Sequence, residues 1–247
     1  MGITSKFSTL GAIAVLAMLT GCAVGPHPEV DAGKFGTVHT VTVVYPGKMV
    51  YTGGSASAPL AIPGIGLIGA AIAGAVRGIA NASVSKAPAT FDQVVTAKLG
   101  DTKLSRQFTD GVEATLRAHG YEVSEVDASA AGLPTITHDE HGMLHAQGPV
   151  YQGSDAVLFI NVSPEYFAPG PLNSYARVVV GEIVMFKSDT HDAVFRYRFQ
   201  SRKFSDPYSY ATFASLVQDL PRAIKGLDES VMAQVGLFGQ SLDIAQR

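Results

Sequence analysis

The stretch LRAHGYEV, Leu116–Val123, joins a predicted helix to a predicted strand and thereby decides the fold class. Upstream of it, apolar residues recur every four positions, which is the spacing of one helical face. They are Leu104, Phe108, Val112 and Leu116. Asp101 is the expected cap of this helix and Gly120 its stop, so a helix is predicted over 101–119. Tyr121–Val126 then alternates as a half-buried strand does, and the whole indicates an α/β unit.

Further apolar or β-branched segments predict the rest of a sheet. They are Thr37–Tyr45, a short strand at Met49–Thr52, Asp155–Val162, Tyr175–Phe186 and Ala193–Phe199. The last two are expected to form a hairpin. In its second strand one face carries Phe195, Tyr197 and Phe199, and the other carries Arg196, Arg198 and Gln200. We therefore expect the aromatic face to be buried and the basic face to contact water.

The C-terminal region predicts a second main helix. Asp206-Pro207 is a typical helix start, and apolar residues follow at steps of four and three, from Phe213 to Val231. Pro221 lies inside this run and should kink or split the helix. Residues 127–153 are rich in Gly, Pro and Ser and are expected to form a loop or a small hairpin.

Together these elements predict an α/β (α+β) fold in a single domain, residues 36–247. A mixed sheet of about five strands would be covered by two main helices, with an apolar Gly/Ala-rich helical segment added. The net charge is −3 and charged residues make up 16% of the chain. No basic field is present that would favour nucleic acid, so none is expected as a partner.

The N-terminus has the layout of a secretory signal. Lys6 precedes an apolar run, Leu10–Leu19, that is too short for a comfortable membrane span. Leu19-Thr20-Gly21-Cys22 comes next, and Cys22 is the sole cysteine. This LTGC sequence resembles the lipobox of bacterial lipoproteins. The resemblance implies that residues 1–21 are a cleaved signal peptide and that Cys22 is acylated; the alternative is an ordinary signal peptide with a bystander cysteine.

The residues after the lipobox predict the localisation of the protein. Residues 22–35 are rich in Pro, Gly and small residues, as a lipidated tether would be. Ala23, rather than Asp, comes directly after the cysteine, which by the sorting rule of enteric lipoproteins implies the outer membrane. The expected partner is therefore membrane lipid at the periplasmic face, and the covalent lipid on Cys22 is the only expected cofactor.

The segment 60–80 is apolar and spaced for helix packing. Small residues recur every four positions at Gly66, Ala70, Gly74 and Gly78, with large aliphatic residues opposite. Three interpretations remain open: a membrane helix that self-associates, a helix buried within the domain, and a Gly/Ala-rich loop. The first two make these four residues a helix-packing or membrane contact, and the first predicts self-association or a protein partner.

The mature domain loosely resembles the periplasmic α/β module of curli-secretion-type and TolB-amino-terminal-type lipoproteins. The likeness rests on element order and on the phrases Leu116–Val123 and Asp155–Ile160. It implies an accessory role in an envelope transport or secretion complex. A non-enzymatic binding or assembly role at the outer membrane is the function we expect, and this accessory role is its alternative.

A cluster of histidines offers a different alternative. In HDEHGMLH, His138, His141 and His145 would share one face if the segment were helical, as metal ligands do. Gly142 and the nearby Pro134 favour instead a polar turn between two short strands. No nucleophile motif is present either, since Gly53–Ser57 departs from GxSxG. We therefore expect no metal site and no enzymatic activity, with a metal-dependent periplasmic enzyme as the remaining alternative.

Overall fold

The computed structural model describes residues 28–55, 90–140, 143–203 and 207–247. The strands are β1 (Glu29–Val30), β2 (Thr40–Tyr45), β3 (Thr52–Ser55), β4 (Glu122–Asp127), β5 (Thr135–His138), β6 (Leu144–Gln147), β7 (Ala156–Ala168), β8 (Ala176–Lys187) and β9 (Ala193–Lys203). The helices are α1 (Ala32–Phe35), α2 (Phe91–Leu99), α3 (Leu104–Ala118), α4 (Phe213–Gln218) and α5 (Leu220–Ala245).

One mixed sheet organises the domain. Seven strands form it. Six follow the order β1-β9-β8-β7-β2-β4, and the seventh, β3, pairs with the C-terminal part of β7. β2 is parallel to β4 and β7, whereas β7, β8 and β9 form an antiparallel meander. The predicted α/β class is therefore confirmed. The strand number exceeds the expected five because the two-residue β1 is too short to show a period and because a short strand does form after β2. The short strand predicted at Met49–Thr52 is misplaced, since β3 begins only at Thr52.

Helices α3 and α5 cover one face of this sheet. The apolar stripe of α3 is fully buried, as its spacing predicted, and α5 packs beside it. Phe195 and Tyr197 of β9 face these helices, and the Tyr197 hydroxyl donates to Gln234 Oε1 of α5 at 3.1 Å. Aromatic rings and branched aliphatic side chains fill the space between the two layers, so this face holds the main core.

The LRAHGYEV junction has the expected shape. The amide of Gly120 donates to Arg117 O and that of Tyr121 to Leu116 O, which is the hydrogen-bond pattern of a Schellman turn. Gly120 has a φ of +89°, a conformation that glycine adopts without a Cβ penalty. This turn reverses the chain from α3 directly into β4, where Tyr121 is buried against the core.

Two predicted helix starts are wrong. Asp101 does not cap α3, because the helix begins later, after Lys103, and Asp101 Oδ1 accepts instead from the Lys103 amide at 2.9 Å. Asp206 lies outside the described residues, and α4 begins only at Phe213, where Thr212 and Ser215 form a capping box. The helix does split as predicted, since Pro221 occupies the first turn of α5.

Part of the predicted tether belongs to the folded domain. Glu29 and Val30 pair with β9, and Asp31 caps the short helix α1. Phe35 is buried and stacks on Phe195, with ring centroids 5.6 Å apart. The assignment of a tether over 22–35 is therefore too long, because a buried aromatic ring outweighs the loop-like composition around it.

The other face of the sheet carries no long helix in the described part of the chain. The hairpin β5–β6 covers one corner of it, where Leu144 packs on Val184 and Phe186. Arg196 lies beneath this hairpin and is buried, so the prediction of a wet position is wrong here. Its guanidinium pairs with Glu182 and donates to Leu144 O, and these bonds let a cation be buried. Arg198 and Gln200 are exposed as expected.

A candidate binding cleft beside helix α3

A cleft opens where β7 loses its neighbour. β2 pairs with β7 as far as Phe159, and β3 resumes the pairing only at Glu165. The loop 46–51 leaves the sheet between these points and encloses a cavity of about 300 Å³ against Ile160–Ser163. The cleft lies at the carboxyl end of β2, and ligands in α/β sheets bind at the carboxyl ends of parallel strands.

Helix α3 points its first turn into this cleft. Leu104, Ser105 and Arg106 line an adjoining cavity of about 400 Å³, and Ser105 lines both cavities. The helix begins after Lys103, whose backbone is left-handed at φ 57° and ψ 14° and whose side chain makes no capping hydrogen bond. The first-turn amides are therefore left without a side-chain cap, and such amides bind acceptors well.

Two hydroxyl groups in the cleft have no hydrogen-bond partner among the described residues. Ser105 is 5% exposed, and its Oγ neither donates nor accepts a bond there. Thr52 lines the same cavity, and its Oγ1 also has no partner in the described part of the chain. A buried hydroxyl without a partner is unfavourable, because it has lost its hydrogen bonds to water and gained none. The pair thus indicates where a polar ligand atom would be stabilised.

The charges around the cleft are mixed. Lys48 donates to Asp92 Oδ2 at 3.0 Å and to Thr96 Oγ1 at 2.7 Å. Arg106 pairs with Asp110 and Glu125, lowering the pKa of the Glu125 carboxyl, and lies over the Tyr45 ring. The cleft also contains Lys103, which forms no ion pair within the described ranges, and the carboxylate of Asp101.

A hydrogen-bonded trio holds the loop 46–51 in place. The Tyr51 hydroxyl lies 2.8 Å from Thr102 Oγ1, just before α3, and donates to Asp228 Oδ1 of α5 at 3.0 Å. Burial raises the pKa of both the Tyr51 hydroxyl and the Asp228 carboxyl, so the phenol keeps its proton and can donate it. The wall of the cleft is therefore fixed to two helices.

The histidine cluster does not form the helical arrangement that the metal alternative required. His138 lies on β5 and His145 on β6, as in the interpretation of two short strands joined by a turn. His145 is opposite Thr137, and His138 is opposite Leu144, so the two histidines point to opposite faces of the hairpin. His145 Nε2 lies 3.0 Å from Asp139 Oδ2. His141 lies outside the described residues, and the rest contain no cluster of three or more metal-ligating side chains.

The remaining predicted site residues also lie outside the described ranges. These are the lipidation candidate and the four small residues of the glycine segment, namely Cys22, Gly66, Ala70, Gly74 and Gly78. Their roles stay predictions. Among the helices that the structure does describe, none is both long and apolar enough to cross a membrane.

The cleft residues themselves were not predicted from the sequence. Ser105 and Thr52 belong to no motif, and their importance comes from burial that only the fold reveals. One signal was available, because the prediction of a helix from about residue 101 leading into a parallel strand places its N-terminus at the carboxyl edge of the sheet. The helix α2 was also missed, although Thr90 and Gln93 have the spacing of a capping box.

Comparison with known proteins identifies no family. No family model matches the chain, and no curated protein matches it. Among solved structures it is similar to a PelC dodecamer variant from Paraburkholderia phytofirmans, at 10% identity and a TM-score of 0.35, over 90% of this chain and 98% of that one. A neuraminyllactose-binding hemagglutinin homolog from Helicobacter pylori matches at 7% identity and a TM-score of 0.34, over 85% and 91%. A lipoprotein from Neisseria meningitidis matches at 15% identity and a TM-score of 0.30, over 76% and 96%. Similarities this low carry no argument about function.

Proposed function

We propose that this chain is a lipid-anchored binding protein of the bacterial envelope, held at the periplasmic face of the outer membrane. The observation that carries the anchor is the LTGC sequence, in which the sole cysteine of the chain comes after a short apolar run. Cleavage before Cys22 and acylation would attach several acyl chains, and anchoring by more than one chain is stable. Ala23 supports the outer membrane as the destination.

The short distance from Cys22 to the fold supports a domain held close to the membrane. β1 begins at Glu29, only seven residues after the proposed lipid. A fully extended chain of that length reaches about 25 Å. The domain would therefore stay within roughly its own diameter of the bilayer surface, in reach of lipids and of other anchored proteins.

Binding, rather than catalysis, is the role that the cleft residues favour. Its buried polar groups are helix amides and two hydroxyls that lack partners among the described residues. The charged side chains beside them are mostly committed to ion pairs, as Lys48 is to Asp92 and Arg106 is to Glu125. Such a site recognises acceptor groups on a ligand by hydrogen bonds, and no proton transfer is needed for that.

The glycine segment supports a second contact, through self-association or a protein partner. Gly66, Ala70, Gly74 and Gly78 would let two helices approach closely, which drives association in membranes. We expect Gly74→Leu to reduce oligomer size or ease membrane extraction while leaving the thermal unfolding of the domain unchanged. Unchanged behaviour in both assays would remove this contact from the proposal.

Membrane fractionation of three chains tests the anchor. The wild type should fractionate with the outer membrane, and Cys22→Ala should lose lipid labelling with radioactive palmitate. Ala23→Asp is the matched control, because it keeps the lipid but should move the protein to the inner membrane. Equal labelling of the wild type and Cys22→Ala would refute the anchor. If unlipidated Cys22→Ala still resists alkaline extraction, residues 60–80 are a second membrane element.

A further inference from the structure

We propose that the cleft beside α3 binds a phosphate-type oxyanion, held by the Ser105 hydroxyl and the first-turn amides of the helix. This inference rests on the proposed binding function and names the chemistry of its ligand. It depends on two independent observations, namely the helix terminus without a cap and the buried hydroxyl next to it.

The helix terminus supplies donors and a favourable field. α3 has fifteen residues, so its aligned peptide dipoles place about half a positive charge at the first turn. The left-handed backbone of Lys103 turns the chain away, and the Asp101 side chain satisfies the Lys103 amide rather than those of the helix. The amides of Leu104, Ser105 and Arg106 thus have no side-chain cap, and these three residues line the cleft.

Ser105 is the second observation that points to a ligand in the cleft. Its side chain lines both cavities, is only 5% exposed, and has no partner among the described residues. A hydroxyl at the second helical position can donate to the same oxyanion as the neighbouring amides. Thr52 also lines the first cavity, and its Oγ1, which has no partner among the described residues, is a second candidate donor to the oxyanion.

The balance of charge favours a ligand with one phosphate group over a ligand with several. Lys48 and Arg106 already face carboxylates, whereas Lys103 has no ion pair within the described ranges. The Asp101 carboxylate lines the same cavity and repels the higher charge of a polyphosphate. Lys103, without an ion pair in the described part of the chain, and the helix terminus are together suited to inorganic phosphate or a phosphate ester. They are not suited to a polyphosphate.

Phosphate binding to the full-length protein in detergent tests the proposal. Equilibrium dialysis against radiolabelled inorganic phosphate should give saturable binding to the wild type. Ser105→Ala should weaken it by about tenfold, the effect of losing one hydrogen bond to a charged group. Lys103→Gln should weaken it severalfold. Lys225→Gln is the matched control, since Lys225 is an exposed lysine of α5 outside the cleft and its removal should change nothing.

Thermal unfolding separates a ligand role for Ser105 from a structural one. Because its hydroxyl is unpaired among the described residues, Ser105→Ala should leave the melting temperature unchanged or raise it, while phosphate affinity falls. A lower melting temperature with unchanged affinity would overturn the proposal. So would the absence of saturable binding at millimolar phosphate, or equal binding by all variants. Lys103→Gln keeps the test decisive if Ser105→Ala fails to fold.

A vesicle experiment distinguishes the two sources of such a group. The Cys22→Ala chain is floated with phosphatidylcholine vesicles, with and without phosphatidic acid. Retention that requires phosphatidic acid and is lost in Ser105→Ala assigns the site to a lipid headgroup. Saturable binding of free phosphate with no such retention assigns it to a soluble phosphate compound. Both results leave the lipid anchor untested, so failure here and failure of the anchor are distinguishable.

Discussion

The two faces of the central sheet differ in how they are stabilised. The face under α3 and α5 is a continuous apolar core in which aromatic and aliphatic side chains are excluded from water. The opposite face mixes apolar and charged side chains, and its one described cover is the hairpin β5–β6 at a corner. Buried charges such as Glu182, Glu165 and Arg196 lie on this second face. Apolar packing thus stabilises the helix-covered face, whereas buried charged groups contribute to the stability of the opposite face.

The largest effect is expected from the helix-covered face. Phe108 of α3 is completely buried, so Phe108→Ala should leave a cavity and lower the free energy of unfolding by about 4 kcal/mol. Urea titration followed by circular dichroism measures this. Gln107→Ala, at an exposed position of the same helix, is the control and should have little effect. Equal destabilisation by both would mean that α3 does not pack as described.

Breaking the buried ion pair tests the second face. Glu182→Ala leaves the Arg196 guanidinium buried without its carboxylate, which should cost about 3 kcal/mol of unfolding free energy. Glu29 also approaches Arg196, at 3.6 Å, but its side chain is 68% exposed. Glu29→Ala should therefore cost less than about 1 kcal/mol. If the two substitutions lowered the unfolding free energy equally, Arg196 would be exposed to solvent and the hairpin would not cover it.

A smaller, pH-dependent effect is expected at Glu165. Burial raises the pKa of its carboxyl from 4.5 to about 7, against the opposing charge of Arg202. Because the folded state holds the proton more tightly, this group favours folding at low pH and loses that contribution as pH rises through about 7. Glu165→Gln should thus be more stable than wild type by about 2 kcal/mol near pH 8 and nearly equal near pH 5. If the unfolding free energies of the two proteins varied with pH in the same way, the raised pKa of Glu165 would be contradicted.

The smallest effect is expected at the cap of α2. Thr90 Oγ1 accepts from the Gln93 amide and the Gln93 side chain accepts from the Thr90 amide, forming a reciprocal cap. Thr90→Ala should lower the unfolding free energy by about 1 kcal/mol, whereas Thr90→Ser should retain most of it. Differential scanning calorimetry resolves a difference of this size. A loss with Thr90→Ser as large as with Thr90→Ala would show that the methyl group, rather than the cap, matters.

The helix-covered face could be predicted from the sequence, and the other face could not. Leu104, Phe108 and the aromatic residues of β9 reveal their burial by period, because packing against a layer selects one side of each element. The same period places Arg196 on the exposed face of β9, but a hairpin distant in sequence buries it. The pattern of a single strand cannot reveal such a distant contact. The cleft was beyond prediction for a similar reason. Ser105 is an ordinary helix residue until the fold encloses it.

Strand β3 ends at Ser55 and Thr90 caps α2, and these two elements are in contact. A methyl group placed on Gly53 would lie 3.0 Å from Phe91 Cβ, so β3 and the start of α2 touch. Residues 56–89 therefore lie in sequence between two described elements that are in contact. A short Gly-Ser linker from Ser55 to Thr90 can therefore replace this segment, and an unchanged melting temperature of the shortened chain would exclude the interpretation of a helix buried within the domain, which the glycine spacing alone leaves open.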